Sequence, residues 1–236
     1  MCTVSFFYTE NALFFTSNRD EKRDREKAVF PNEIGLEDRT LYFPKDAKAS
    51  GTWFVADNHG NAIILLNGAF QKHKSQPPYK KSRGIILLEL MKIENVLHAF
   101  QSYDLFGIEP FQLLTYSQNT LFRLLWDGEK KHQILLKKNK NHLLSSATLY
   151  NGGIIAEREK RFKEFQEKQI TQKEILAFHK QHLIEEELNV EESIKETFVT
   201  VSITQLVLRE NEIDFTYNDL VQKKIQNIKI GNKAFV

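Results

Sequence analysis

A chain of 236 residues with 41% hydrophobic content fits one large domain or two small ones and can fill a sizeable core. Its 33 basic and 31 acidic side chains leave a net charge of +2, which gives no general attraction to nucleic acid. The single cysteine excludes an intrachain disulfide framework, and no secretory signal or membrane-length apolar run is visible, so the composition predicts a cytoplasmic globular protein without a membrane span.

Met1 to Tyr8 reads as a strand, Glu10-Asn11 as a turn and Ala12 to Ser17 as a second strand, so the chain opens on a hairpin. All nine residues from Arg19 to Lys27 are charged, five positive and four negative, the pattern of a solvated loop. Gly51–Ala56 and Ala62–Asn67 form a strand pair around the turn at 57–61. The loop 71–81, with Pro77-Pro78, separates them from helical segments at Ile85–Met91 and Ile93–Phe100. Phe111–Tyr116, Thr120–Trp126 and His132–Leu136 read as a meander with Asp127-Gly128 at one turn. Helices follow at Ile155–Gln169 and, behind a Thr171/Glu174 capping box, to about Leu183. Glu185–Glu192 reads as an acidic loop, Thr197–Leu208 and Ile213–Tyr217 as a last hairpin, and Lys229–Val236 as an added edge strand. No linker, repeat or composition break interrupts residues 1–236, so a single α+β domain with antiparallel sheets and segregated helices is expected.

Cys2 follows the initiator Met1 directly, and Met is trimmed when the next residue is this small. Trimming leaves a thiol (pKa about 8.5) and an α-amine (about 7.7–8.0) on one residue, and at neutral pH the amine can activate its own thiol. This is the chemistry of an N-terminal nucleophile. The alternative is an unpaired cysteine acting as a small apolar core residue. A hairpin from Met1 to Ser17 brings positions near 2 and 18 together, so Asn18, Arg19 and Asp20 become candidate neighbours. A guanidinium there would favour the thiolate, and a carboxylate would hold the amine.

Met1-Cys2-Thr3-Val4 and Asn18-Arg19-Asp20-Glu21 resemble the family named for that Asn-Arg-Asp-Glu tetrad, whose eukaryotic member is called transport and Golgi organisation protein 2. Asp46, Gly51-Thr52-Trp53, Leu66-Asn67, Ser82-Arg83-Gly84 and Leu144-Ser145 before Leu149-Tyr150 extend the resemblance in the same order. The resemblance implies a four-layer αββα sandwich of the N-terminal nucleophile hydrolase kind, similar to choloylglycine-hydrolase-type amidases. It implies catalytic roles for Cys2, Arg19, Asp20 and Asn67, with Asn67 donating to a developing oxyanion. Asn18, Arg83 and Ser146 are the implied substrate contacts. Two departures stand out. Arg19 and Asp20 are adjacent where the amidases separate the pair by two residues, so a bulge or strand end is needed to bring both to one site. Ser146 stands where most of the family has Asn.

Among the other candidates, Trp53 reads as core and Ser82 as a helix N-cap. His179 and His182 have a metal-compatible spacing with no evident third ligand, and read as a surface pair. No cofactor or metal is expected. Two functions follow from the resemblance: an amidohydrolase cleaving a linear non-peptide amide or a thioester through acyl-Cys2, or a non-catalytic binding and trafficking protein for haem, acyl-CoA or lipid. The partner in either case is a small molecule; a third reading is an interaction module with no small ligand, and the sequence does not specify an oligomeric state.

Overall fold

A computed structural model describes residues 3–148, 150, 152–168, 170–184 and 191–231. Met1 and Cys2 lie outside the described residues, as do 185–190, most of the acidic loop expected at Glu185–Glu192, and the tail 232–236.

Two antiparallel sheets lie face to face, with helices on their outer faces. The first has six strands in the order β10-β1-β2-β11-β12-β13. These are β1 (Thr3–Thr9), β2 (Ala12–Lys22), β10 (His142–Ser145), β11 (Phe198–Arg209), β12 (Glu212–Asp219) and β13 (Lys224–Gly231). The second runs β3 to β9 in sequence order. It holds β3 (Val29–Gly35), β4 (Thr40–Lys45), β5 (Phe54–Asp57), β6 (Ala62–Asn67), β7 (Phe111–Ser117), β8 (Thr120–Trp126) and β9 (Lys131–Leu136). Helices α1 (Arg83–Met91) and α2 (Val96–Ser102) are associated with the second sheet, while α3 (Gly152–Gln166) and α4 (Gln172–Lys180) cover the first. A short α5 (Glu192–Thr197) leads into β11. The result is the expected four-layer α+β sandwich.

Strand alternation divides the core. On β1 and β2, Val4, Phe6 and Phe15 face the second sheet. Phe7 and Phe14 face outward, against Phe162 of α3 and Phe178 of α4. Phe7 meets the Phe162 and Phe178 rings at centroid distances of 5.2 and 6.3 Å. Each such ring contributes about 2 kcal/mol through burial, which explains the heavy use of Phe in a chain with two apolar layers around one sheet.

The structure departs from sequence expectation at three places. The charge run at Arg19–Lys27 does not begin as a loop, because β2 continues to Lys22 along β11. Pairing with β11, Arg19 opposite Ser202 and Asp20 opposite Thr200, carries both side chains inside, each 3% exposed. No sequence element was assigned to β3, β4 or β10. Pro31 and Pro44 interrupt the alternation of the first two, and β10 is only four residues long. His179 and His182 are fully buried rather than a surface pair. With Ile175 and Phe178 they occupy positions i, i+3, i+4 and i+7, the buried stripe of α4 and its C-terminal turn. No helix among the described residues is long and apolar enough to cross a membrane.

Candidate active site at the start of the first strand

The β1–β2 hairpin turns through Glu10-Asn11, and its register sets Thr3 opposite Asn18. On its other edge β1 pairs with β10, with Thr3 opposite Ser145. The start of β1 is therefore flanked by the next residue along each neighbour: Arg19 on β2 and Ser146 beyond β10. Cys2 is covalently attached to Thr3 and lies outside the described residues.

Arg19 projects between the sheets. Its guanidinium contacts the Asp46 carboxylate at 2.5 Å and Glu21 at 3.4 Å, and its carbon lies 4.2 Å from the centre of the Trp53 ring. Asp46 also binds Arg25 at 2.9 Å and accepts the Ala49 N–H. Burial pushes the Asp46 carboxyl up, but the Ala49 N–H, the Arg25 bond and the charges of Arg19 and Arg25 outweigh it and hold it below the ordinary carboxylate value. Trp53 is core, as expected, and is also the flat support beneath a cation.

Asn67 ends β6, and Gly68 follows with φ +75° and turns the chain away. The Asn67 main-chain carbonyl accepts the Ser146 hydroxyl at 2.9 Å and the Ala147 N–H at 3.2 Å. Ser146 thus ties the first sheet to the second at this point. The side-chain amide of Asn67 has no hydrogen-bond partner among the described residues. Arg83, the first residue of α1, binds Glu109 at 2.9 Å and the Pro110 carbonyl at 3.2 Å. Burial lowers its pKa and the Glu109 charge works against that, but a guanidinium stays charged. Ser82 holds the N-cap position without a side-chain capping bond.

Arg19, Asn67 and Arg83 line one cleft of about 100 Å³, walled also by Asp46, Trp53 and Gly84. Its floor is a backbone-to-backbone contact. The Thr52 N–H donates to the Gly84 carbonyl at 3.1 Å, and a Cβ on Gly84 would stand 2.6 Å from the Thr52 oxygen. This contact explains why Gly51-Thr52-Trp53 and Ser82-Arg83-Gly84 go together: each segment needs glycine where it meets the other.

Asn18 and Asp20 face the other way, towards the helices. The bulge expected to unite Arg19 and Asp20 is not on β2; the register shift lies across the ladder, between Thr200 and Ser202 of β11. Asp20 accepts from the Tyr150 hydroxyl at 2.7 Å and from the Thr200 hydroxyl. Asn18 donates to the carbonyls of His179 and His182 at 3.0 and 3.2 Å, so its oxygen accepts from His179 Nδ1 at 2.8 Å. That assigns the neutral tautomer protonated at Nδ1, with Nε2 accepting the Ser5 hydroxyl at 2.6 Å. Asn18 therefore clasps the end of α4, while the cleft holds Arg19, Asn67 and Arg83. Among the described residues no group of three or more His, Cys, Asp or Glu is placed to hold a metal.

The family model described as Transport and Golgi organisation 2 matches residues 1–233. The chain belongs to this family. No match is found among curated proteins. Among solved structures, a cysteine-to-alanine mutant of the conjugated bile acid hydrolase from Clostridium perfringens superposes with a TM-score of 0.62 at 11% identity, over 99% of this chain and 95% of that one. A second variant of that hydrolase gives 0.60 at 11% identity, over 98% and 95%. The Caenorhabditis elegans orthologue of N-acylethanolamine-hydrolyzing acid amidase gives 0.58 at 10% identity, over 87% and 92%. At these identities the likeness is one of fold, and it sets this member of the transport and Golgi organisation 2 family on the N-terminal nucleophile hydrolase sandwich.

Four residues that the sequence reading gave no site role now stand in or beside the site. Asp46 and Trp53 hold Arg19, whereas Tyr150 and Arg158 lie on the helix side of the strand start.

Proposed function

We propose that the chain is an N-terminal-cysteine hydrolase that cleaves a linear non-peptide amide, or a thioester, through an acyl-Cys2 intermediate once Met1 is removed. The observation that carries this reading is the cleft between the sheets, where a supported guanidinium, Arg19, and an unengaged amide, Asn67, meet beside the start of β1. Consecutive Cα atoms are about 3.8 Å apart, so a nucleophile bonded directly to Thr3 stays within that reach of the strand start. The hydrolase and amidase structures of the same fold lend further support.

In the proposed step the Cys2 sulfur bonds to the acyl carbon while its own α-amine takes the thiol proton. The carbonyl π electrons move onto oxygen, facing the Asn67 amide N–H. Collapse breaks the C–N bond, and the ammonium returns its proton to the leaving nitrogen. Water then attacks the thioester with the amine again as base, the C–S bond breaks and the acid departs. Arg19 favours the thiolate, tempered by Asp46; Asp20 serves the amine side; Arg83 contacts substrate at the cleft wall; Ser146 acts through Asn67. The lone cysteine supports a cytoplasmic setting.

A second reading has its own observation. Next to Arg19 opens a cavity of about 580 Å³ lined by Arg23, Arg25 and Lys27, by the acidic Glu26 and Asp219, and by apolar residues including Val201 and Leu220. Cations outnumber carboxylates in this apolar-lined cavity, which suits an anionic amphiphile, so the alternative is a non-catalytic carrier of haem, acyl-CoA or lipid. A panel of N-acyl amides and acyl thioesters separates the two. The hydrolase reading expects turnover that is abolished in Cys2→Ala and reduced about 10²–10³-fold in Asn67→Ala with unchanged melting. Saturable binding of haemin or an acyl-CoA with no turnover of any substrate would replace it with the carrier.

A further inference from the structure

We propose that Arg158 and Tyr150 are positioning residues for the N-terminal nucleophile, acting on it from the helix side of the sheet through Thr3 and Asp20. The inference rests on the hydrolase reading above and adds two residues to it.

Arg158 is fully buried, in the stripe of α3 that also carries Ile154 and Phe162. A long cation in such a stripe needs a reason, because burying a charge is costly without specific partners. Its guanidinium donates to the Thr3 hydroxyl, one residue from Cys2. The guanidinium carbon stacks 3.8 Å from the centre of the Tyr150 ring. Tyr150 in turn gives its hydroxyl proton to Asp20 at 2.7 Å. The other Asp20 oxygen accepts the Thr200 hydroxyl, which itself receives the Ile184 N–H at 2.9 Å. The two hydroxyls therefore fix both Asp20 oxygens as acceptors and hold the side chain in one orientation.

The arrangement joins β1, β2, α3 and β11 around the strand start, with Arg19 on the opposite face of β2. The ionisable groups facing it are Asp20 from β2, Tyr150 from the loop after β10, Arg158 from α3, and His179 and His182 from α4 and its C-terminal turn; both His182 and Arg158 lower the pKa of His179. A cation held at Thr3 favours thiolate over thiol and free amine over ammonium. A carboxylate immobilised by two donors is pre-set to orient that amine. Removing the Tyr150 hydroxyl leaves Asp20 less neutralised, which favours the ammonium and disfavours the thiolate. The disfavoured thiolate moves the onset of alkylation to higher pH, and the retained ammonium withholds the base from turnover.

The test is the pH profile of iodoacetamide alkylation, read by intact mass on the full chain, where Cys2 is the sole thiol. It is paired with kcat and KM on whichever acyl amide the wild type turns over. Tyr150→Phe keeps the ring beneath Arg158. It should melt like wild type, shift the alkylation midpoint upward and lower kcat about tenfold with KM little changed. Arg158→Gln should shift the midpoint the same way, and Arg158→Lys, which retains the charge, should restore most of it. A Tyr150→Phe protein with wild-type melting, midpoint and kcat overturns the positioning role and leaves the hydrolase reading standing. A wild-type protein that keeps Met1, or whose thiol reacts as an ordinary one, overturns both.

Discussion

Replacing Asp46 by Asn removes the one carboxylate that lies between two guanidinium groups. Arg19 is 4% exposed at its side chain and would keep its charge without a full partner. Breaking a buried pair in this way costs about 3 kcal/mol, because the remaining ion stays desolvated. Asp46→Asn should therefore lower the urea midpoint with an unchanged slope, and an unaltered midpoint would show that Trp53 and Glu21 suffice. At this scale the sequence was legible in proportion to how local the partner is. Arg19 and Asn67 stood out from the hairpin and the strand end. Asp46 could be quoted as part of a motif, but its pairing with Arg19 joins two sheets and leaves no periodic trace. Arg158 did leave one: it sits four residues from both Ile154 and Phe162, so an apolar stripe with arginine at its centre was already written there.

Among the elements, the junction of the β4–β5 loop with α1 sets the cleft floor, and it tolerates no added atom at Gly84. Gly84→Ala places a methyl against the Thr52 backbone. Neither side can yield without moving Arg83 or Trp53 from the cleft. The expected result is lower thermal stability by about 2 kcal/mol together with loss of turnover, measured by calorimetry and assay. Wild-type stability and turnover in Gly84→Ala would contradict this role for the contact. Elements with strong alternation or capping were legible. The meander β7–β9 reads directly, and Thr171 does accept the Glu174 N–H at 3.3 Å. The extension of β2 through Lys22 was hidden because its first two charges, Arg19 and Asp20, are matched by tertiary partners rather than by water. The tie of α4 to the sheet was hidden because histidines took core positions.

The whole molecule carries a pH dependence through that same tie. Burial first, then the charges of His182 and Arg158, hold the His179 pKa well below 6.5. The folded state thus keeps His179 neutral while the unfolded chain begins to take up a proton near pH 6.5. Between the two pKa values the unfolded state binds more protons, so stability falls as pH falls. One such group gives a slope of up to about 1.4 kcal/mol per pH unit, starting near 6.5 and levelling off once the folded form also titrates. Asp46 adds a second loss lower down: its folded pKa lies below 3.8, so its stabilisation is present above that value and disappears as pH drops through the folded one. Urea melts from pH 7.5 to 5 should show the first slope in wild type and a flatter profile in His179→Gln. Equal slopes would remove His179 as the cause. An α+β fold with antiparallel sheets was expected from the order of elements, and its four layers from the family resemblance. Which face of β2 each charged residue takes was decided by the β2–β11 ladder, and that needed the structure.

The hydrolase account turns on the chemical state of the first residue. Intact-mass measurement of natively expressed protein reads it directly. The account predicts a polypeptide lighter by one methionine residue, carrying Cys2 as its first residue and gaining mass transiently when an acyl amide is added. A polypeptide that retains Met1 and gains nothing would contradict it.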